Sequence, residues 1–323
     1  MSPQPEMIGH ERVRELLASF SGVQGAAPHA ILLTGPTSVG KRTVARAFLQ
    51  QLHCLDHSVP EACSVCRACQ LLPEGKLIDA QLLDPEGSKI SIAEVRSLQE
   101  RVSRTAIEGG RKSVLIADAE RLTTEAANAL LKTLEEPPSD TTLVLTASSA
   151  DVLLPTIVSR CSVLPLRTVP KEMLRTHLLR RSLDPARVEL ALVLADGRPG
   201  RAIRFLEQED DIQQALVQAK AVGGFSSQSL IDKFAVAKEL SDEERERVDQ
   251  LLDAWTSLLR LALLTKVYPE EHLPPELQQE LHSLLEKSQE QLLQLLKRTL
   301  ETREAVRENA NIRLSLESLL LAF

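Results

Sequence analysis

The sequence predicts an α/β domain built on a parallel sheet, followed by an all-α half. Three observations carry this. First, the short apolar run Ala30 to Leu33 enters the loop Gly35-Pro36-Thr37-Ser38-Val39-Gly40-Lys41-Arg42, and the helix-forming segment Thr43 to Leu52 follows. Strand, glycine loop and helix in that order are the context of a phosphate-binding loop. Second, short apolar runs alternate with amphipathic segments as far as about Thr168, the pattern of parallel strands joined by crossover helices. Third, nearly every segment from there to Phe323 has a helical period, without a strand candidate.

Each element has its own signal. Glu11 to Phe20 places Val13, Leu16, Leu17 and Phe20 on one helical face. Pro28-His29 introduces the first strand, and Ile78 to Leu83 reads as another. Ser91 to Arg104 is helical, with Ile92, Val95, Leu98 and Val102 in register. Val114 to Ala117 is a buried-type strand, and Thr124 to Leu134 is a helix starting at a Thr cap. Pro137-Pro138 stops that helix. Thr142 to Ala147 and Val163 to Leu166 complete the strands. Lys171 to Arg181, Arg187 to Leu194 and Arg201 to Glu207 are short helices, the last after the turn Gly197-Arg198-Pro199-Gly200. The acidic stretch Glu207 to Asp211 reads as a linker into the remaining helices, which break near Gly223-Gly224, Pro269 and Pro274-Pro275. Three domains follow from this pattern: 1–168 α/β, 169–207 small helical and 208–323 larger helical.

Composition narrows the function. The chain has 323 residues, 43% hydrophobic and 26% charged, as in a soluble globular protein with room for two or three domains. It carries six Phe, one Tyr and one Trp, so aromatic stacking platforms for single-stranded bases are not expected. A formal net charge of -7 argues against broad, self-sufficient nucleic-acid binding. The start, Met1 to Glu6, has neither the basic nor the apolar region of a signal peptide. No apolar stretch approaches the roughly 20 residues of a membrane span. A cytoplasmic protein without membrane contact is expected, and there its five cysteines favour metal binding over disulfides.

Cys54, Cys63, Cys66 and Cys69 form such a cluster, closing in Cys-x2-Cys-x2-Cys. Four neighbouring thiolates suit a tetrahedral, structural Zn²⁺ without an open position for catalysis. Buried structural cysteines, a disulfide pair and an iron–sulfur cluster are the competing readings. His53 and His57 flank the group as spare ligands or surface residues.

Two nucleotide signatures have each lost a metal ligand. After the loop lysine a Ser or Thr hydroxyl should ligate Mg²⁺, but Arg42 stands there. The apolar run Ser113 to Glu120 should end in Asp-Glu, to hold the metal and orient water; it has Ala117 and Asp118. Mg²⁺ is therefore not expected to be well held. Gly35, Gly40 and Lys41 leave two readings: a loop that still cradles a phosphate, as of ATP, or a structural relic. For Asp118, a salt bridge or a solvated position is expected over a role as base.

The order of these motifs, continued by Asn128-Ala129-Leu130-Leu131-Lys132-Thr133-Leu134-Glu135-Glu136-Pro137-Pro138 and Ser159-Arg160-Cys161, resembles the AAA+ subunits of bacterial clamp loaders, the DNA polymerase III gamma/tau and delta-prime subunits. The resemblance covers residues 7 to about 206. It reaches the C-terminus through Asn309 to Leu321, which looks like the end of a helical collar. It implies an AAA+ domain with a zinc module at about 54–69, a helical lid over 169–207 and a collar over 208–323. It also implies gamma/tau and delta subunits as partners, and the sliding clamp and primed DNA through the complex. Arg160 would act as an arginine finger toward a neighbour's ATP, Cys161 would be a small buried residue, and Lys132 would face DNA or solvent. Arg42, Ala117-Asp118 and Gly200, which stands where the motor has its sensor arginine, fit the non-hydrolysing delta-prime type. The alternatives are a divergent ATP-hydrolysing motor of gamma/tau type and a zinc-dependent nucleic-acid-binding protein.

Overall fold

The computed structural model of the chain describes residues 7–21, 28–56, 62–84, 89–107, 110–181, 184–268 and 273–323. The chain forms two compact units, Met1–Met173 with Arg198–Gly200, and Leu174–Gly197 with Arg201–Phe323.

The first unit runs through α1 (Glu11–Ser21), β1 (Ala30–Thr34), α2 (Lys41–His53), α3 (Arg67–Leu71), β2 (Ala80–Leu83), α4 (Ile92–Ser103), β3 (Lys112–Ile116), α5 (Thr124–Glu135), β4 (Thr141–Ala147), α6 (Pro155–Val158) and β5 (Ser162–Pro165). The strands form one sheet in the order β2-β3-β4-β1-β5, and every neighbouring pair is parallel. This bears out the sheet expected from the alternating runs. Strand β2 starts two residues later than Ile78 because Ile78 and Asp79 belong to a turn.

Continuous apolar strands are what a sheet covered on both faces requires. Successive side chains point to opposite faces. Ala30 and Leu32 of β1 join Val114, Ile116, Leu143 and Leu145 in a core with Val95 and Leu98 of α4 and Leu130 and Leu134 of α5. Ile31 and Leu33 join Leu115 and Val144 in a second core with Val44, Phe48 and Leu49 of α2 and Leu17 of α1. Helix starts are capped as their residues dictate. Ser91 and Glu94 form a reciprocal capping box on α4, and the Thr123 hydroxyl accepts from the Ala126 N–H at the start of α5.

The second unit is helical, with no strand among its described residues. Most of α7 (Lys171–Leu179) lies here, then α8 (Pro185–Ala195) and most of α9 (Pro199–Glu207), followed by α10 (Glu209–Gly224), α11 (Leu230–Ser241), α12 (Arg245–Val267), α13 (Pro275–Glu280), α14 (His282–Glu286), α15 (Gln289–Arg307) and α16 (Ile312–Leu320). Leu281, Leu284, Leu292 and Leu295 are buried, so these leucines are core. Phe225 packs edge-on against both Trp255 and Phe323. A Cβ added to Gly223 would lie 2.0 Å from the Glu280 carbonyl oxygen, so only glycine lets α10 approach α13 this closely. Between α12 and α15, Arg303 bridges Asp249 at 2.9 Å and Asp253 at 2.6 Å. Arg307 adds a 2.7 Å bond to Asp249. Burial pushes the Asp249 carboxyl up, but the hydrogen bonds and charges of Arg307 and Arg303 outweigh it and hold the group below its ordinary value.

No helix among the described residues is long and apolar enough to cross a membrane.

Candidate functional site

Parallel strands in one sheet put their C-terminal ends on one edge, where ligand sites of such sheets form. Here that edge carries the glycine loop after β1, Asp84 after β2 and Asp118 after β3. Gly40 adopts φ 109° in front of α2, a left-handed conformation that favours glycine and lets the loop turn into the helix. The Gly35 N–H donates to the Ala147 carbonyl at 3.2 Å, tying the loop to the end of β4.

Lys41 is buried. Its ammonium donates to the Gly35 carbonyl at 2.6 Å and the Pro36 carbonyl at 3.1 Å, within its own loop. Burial pushes its pKa below the ordinary lysine value, against the opposing pull of Glu120 and Asp118. Arg42 and Arg198 push the same way as burial.

Arg42 reaches across this edge. Its Nη2 lies 2.6 Å from Asp118 Oδ2 and its Nη1 lies 2.9 Å from Asp84 Oδ1. Arg46 makes a second pair with Asp84 at 3.2 Å. Asp118 is therefore in a salt bridge, one of the two roles expected for it, and its own N–H donates to the Thr146 hydroxyl at 2.9 Å. In an active ATPase a hydroxyl at position 42 and a carboxylate on the neighbouring strand hold Mg²⁺. In this chain a guanidinium from position 42 meets the strand-end carboxylates directly. Gly200, in the first turn of α9 (Pro199–Glu207), donates its N–H to the Ser38 carbonyl at 2.9 Å.

Arg160 follows the short helix α6. Its Nη1 donates to the Thr156 carbonyl at 3.0 Å and the Ser159 hydroxyl at 3.3 Å, and its Nη2 donates to Glu135 Oε1 at 2.6 Å. Cys161 packs against the α4–α5 core, and burial pushes its thiol up to about 11. It is small as expected but only half-buried, because it packs on the edge of that core. Lys132 is exposed on α5.

The four clustered cysteines converge. Their sulfur atoms all lie within 4.8 Å of one another, and Cys63 Sγ is 3.9 Å from Cys69 Sγ. A tetrahedral ion with bonds of about 2.3 Å needs sulfurs separated by about 3.8 Å. The Cys63 N–H donates to Cys54 Sγ and the Cys66 N–H to Cys63 Sγ, each at 3.3 Å. Such bonds favour the thiolate form that a metal requires. Cys63 is lowered to about 7, first by the Cys66 N–H, whereas burial raises Cys54 and Cys69. The donor set fits one metal ion such as Zn²⁺. A multi-iron cluster would hold the sulfurs further apart, because several irons must fit between them. No disulfide joins the five cysteines.

His53 corrects one expectation. It is neither a spare ligand nor a surface residue, but buried, with Nε2 2.8 Å from the Ser113 hydroxyl. Burial lowers its pKa to about 4, so it is neutral at physiological pH. His57 lies outside the described residues.

The structure thus brings Gly35, Gly40 and Lys41 together with Arg42, gathers the cysteines in a second place, and gives Arg160 a partner from α5. Sequence reasoning missed Asp84, Arg198 and Glu135. Asp84 had a signal, since it is an acid directly after a strand, as Asp118 nearly is. Glu135 had none beyond its place at the end of a helix.

The family described as DNA polymerase III, delta subunit, matches residues 8–170. The DNA polymerase III subunit delta' of Pseudomonas aeruginosa is 41% identical over 209 residues, covering 63% of this chain and 63% of that protein. The delta' subunit of Escherichia coli is 34% identical over 211 residues, covering 64% and 63%. The tau subunit of Salmonella typhimurium is 28% identical over 278 residues, covering 81% of this chain and 43% of that protein. The alignments thus span less than two thirds of these relatives. The family match takes in half of the chain, including the glycine loop, the cysteine cluster and Arg160, and the chain belongs to the DNA polymerase III delta-subunit family.

Proposed function

We propose that this chain is a non-hydrolysing, delta-prime-like AAA+ subunit of a replicative clamp loader, which loads the sliding clamp onto primed DNA. The observation that carries this reading is the pairing of Arg42 with Asp118 and Asp84. A fixed cation at the metal's expected place leaves the chain without the ion that neutralises charge during phosphoryl transfer. Gly35, Gly40 and Lys41 are the residues that would cradle a phosphate, and Lys41 would first have to leave the Gly35 and Pro36 carbonyls.

In this reading the chemistry happens next door. Arg160 serves as a finger in trans to ATP on a gamma/tau neighbour, because its planar fork and permanent charge suit phosphate oxygens. The four cysteines hold one Zn²⁺ that staples the loop between α2 and β2. Residues 169–207 form a lid and 208–323 a collar that meets gamma/tau and delta. The chain works in the cytoplasm and reaches clamp and DNA through the complex.

The test is DNA-stimulated ATP hydrolysis by the reconstituted complex. A finger is worth roughly 10³–10⁵ in turnover at the site it serves. Arg160→Ala should therefore remove that site's share, while Lys41→Ala changes turnover little. Equal damage from Lys41→Ala returns the function to a motor that binds and hydrolyses its own ATP.

A further inference from the structure

We infer that Glu135 is a positioning residue for Arg160, an inference that rests on the proposed trans role of Arg160. An arginine side chain has many rotamers, and Arg160 is partly exposed, with 34% of its side chain accessible. Left to itself it would spend little time in any one pose. Two anchors on different nitrogens remove that freedom. Nη1 is held by the Thr156 carbonyl and the Ser159 hydroxyl, both within its own turn. Nη2 is held by Glu135, which comes from the end of α5, 25 residues earlier in the chain. The local bonds fix one corner of the guanidinium, and only Glu135 fixes its plane from a second element.

The geometry leaves Arg160 able to act. A guanidinium has five N–H donors, and these bonds engage only Nη1 and Nη2. Nε–H and the second Nη2–H remain to meet an incoming phosphate oxygen. The carboxylate also suits the guanidinium electrostatically while letting it stay near the surface, where a neighbour can reach it. An exposed pair of this kind contributes little to folding. Its removal should act on the finger and not on the stability of the chain.

The experiment compares Glu135→Ala, Glu135→Gln, Glu135→Asp, Arg160→Ala and the Glu135→Ala/Arg160→Ala double variant. Each is assembled into the reconstituted complex, with co-elution confirming assembly, and kcat and KM for ATP are measured in DNA-stimulated hydrolysis. Glu135→Ala should lower kcat by between about threefold and a hundredfold, the scale on which a slightly misplaced group acts, with KM unchanged. Glu135→Gln should recover most of the rate, since its carbonyl oxygen still accepts from Nη2. Glu135→Asp keeps the charge but shortens the reach, and should lose part of the rate, so it carries the test if the alanine variant fails to assemble. On the Arg160→Ala background, Glu135→Ala should add nothing, as a shared pathway requires. Equal losses on both backgrounds would overturn the positioning role. So would an unaffected Glu135→Ala beside a crippled Arg160→Ala, which leaves the finger intact. A silent Arg160→Ala would remove the finger itself, and the role of Glu135 with it.

Discussion

Arg42 Nη2 and Asp118 Oδ2 lie 2.6 Å apart. Arg42 stands where a phosphate-loop ATPase carries its metal hydroxyl, and Asp118 stands at the water-orienting place of the strand-end pair, beside Ala117 at the place of the metal's Asp. The two departures are therefore linked: the carboxylate that would seek a cation finds one that is covalently part of the chain. Asp84 supplies a second acceptor at 2.9 Å.

Replacing Arg42 should reopen the cation position. Arg42→Thr restores a hydroxyl after Lys41 and frees Asp84 and Asp118 to meet a divalent ion. Thermal unfolding of this variant should shift upward as Mg²⁺ is added, because an ion that binds only the folded state stabilises it by mass action. The unmodified chain should show no such specific shift. A common response from both chains counts against Arg42 as the occupant of that position.

The cysteine cluster makes an analytical prediction. Elemental analysis should find about one zinc per chain, as four thiolates around a single ion imply. Cys69→Ser places a poorer ligand at a buried position and should abolish zinc retention. It should also destabilise the first unit by about 3 kcal/mol or more, the scale for losing a structural metal. Iron in place of zinc, or full zinc retention in this variant, contradicts the assignment.

Asp249 sets a pH dependence in the helical unit. Its folded pKa lies below the ordinary 3.8, so the unfolded chain takes up this proton first as pH falls. The stabilisation is fully present well above pH 3.8 and is lost as pH drops from there through the lower folded value. Chemical denaturation of the wild type and Asp249→Asn should differ most near neutral pH, with the gap closing below that window. A gap that stays constant down to the acid limit would show that the charge of Asp249 is not what stabilises α12 against α15.

Gly223 tests close packing in the same unit. A methyl group there would meet the Glu280 carbonyl oxygen at 2.0 Å, so backbone must shift to admit it. Gly223→Ala should cost about 1–3 kcal/mol or more, as overpacking a tight contact does. Calorimetric melting can read this directly. An unchanged or higher melting temperature would mean that α10 and α13 separate without penalty.

Much of this protein was legible along the chain, and the reason is period. Ile31 and Leu33 face one way and Leu32 the other because strand side chains alternate. The glycine loop announced itself by spacing, and the four cysteines by their closeness in sequence. Each of these signals is local, so it survives without knowledge of what packs against it. The same locality misjudged His53, whose place beside the cysteines looked like a ligand's, while its partner is Ser113, 60 residues away.

What only the tertiary structure decided is pairing between distant charges. Arg42 finds Asp118 across 76 residues, and Arg160 finds Glu135 across 25. A charged side chain looks alike in sequence whether it is solvated, paired or poised. Its partner is set by which strand ends lie side by side and which helix ends meet. In this chain the sheet order β2-β3-β4-β1-β5 brings the carboxylates after β2 and β3 within reach of the arginine at the start of α2. The sequence by itself determined that Arg42 follows the loop lysine where a Ser or Thr is expected; folding decided that this arginine would pair with Asp84 and Asp118, because short-range electrostatics acts on distance in space, not along the chain.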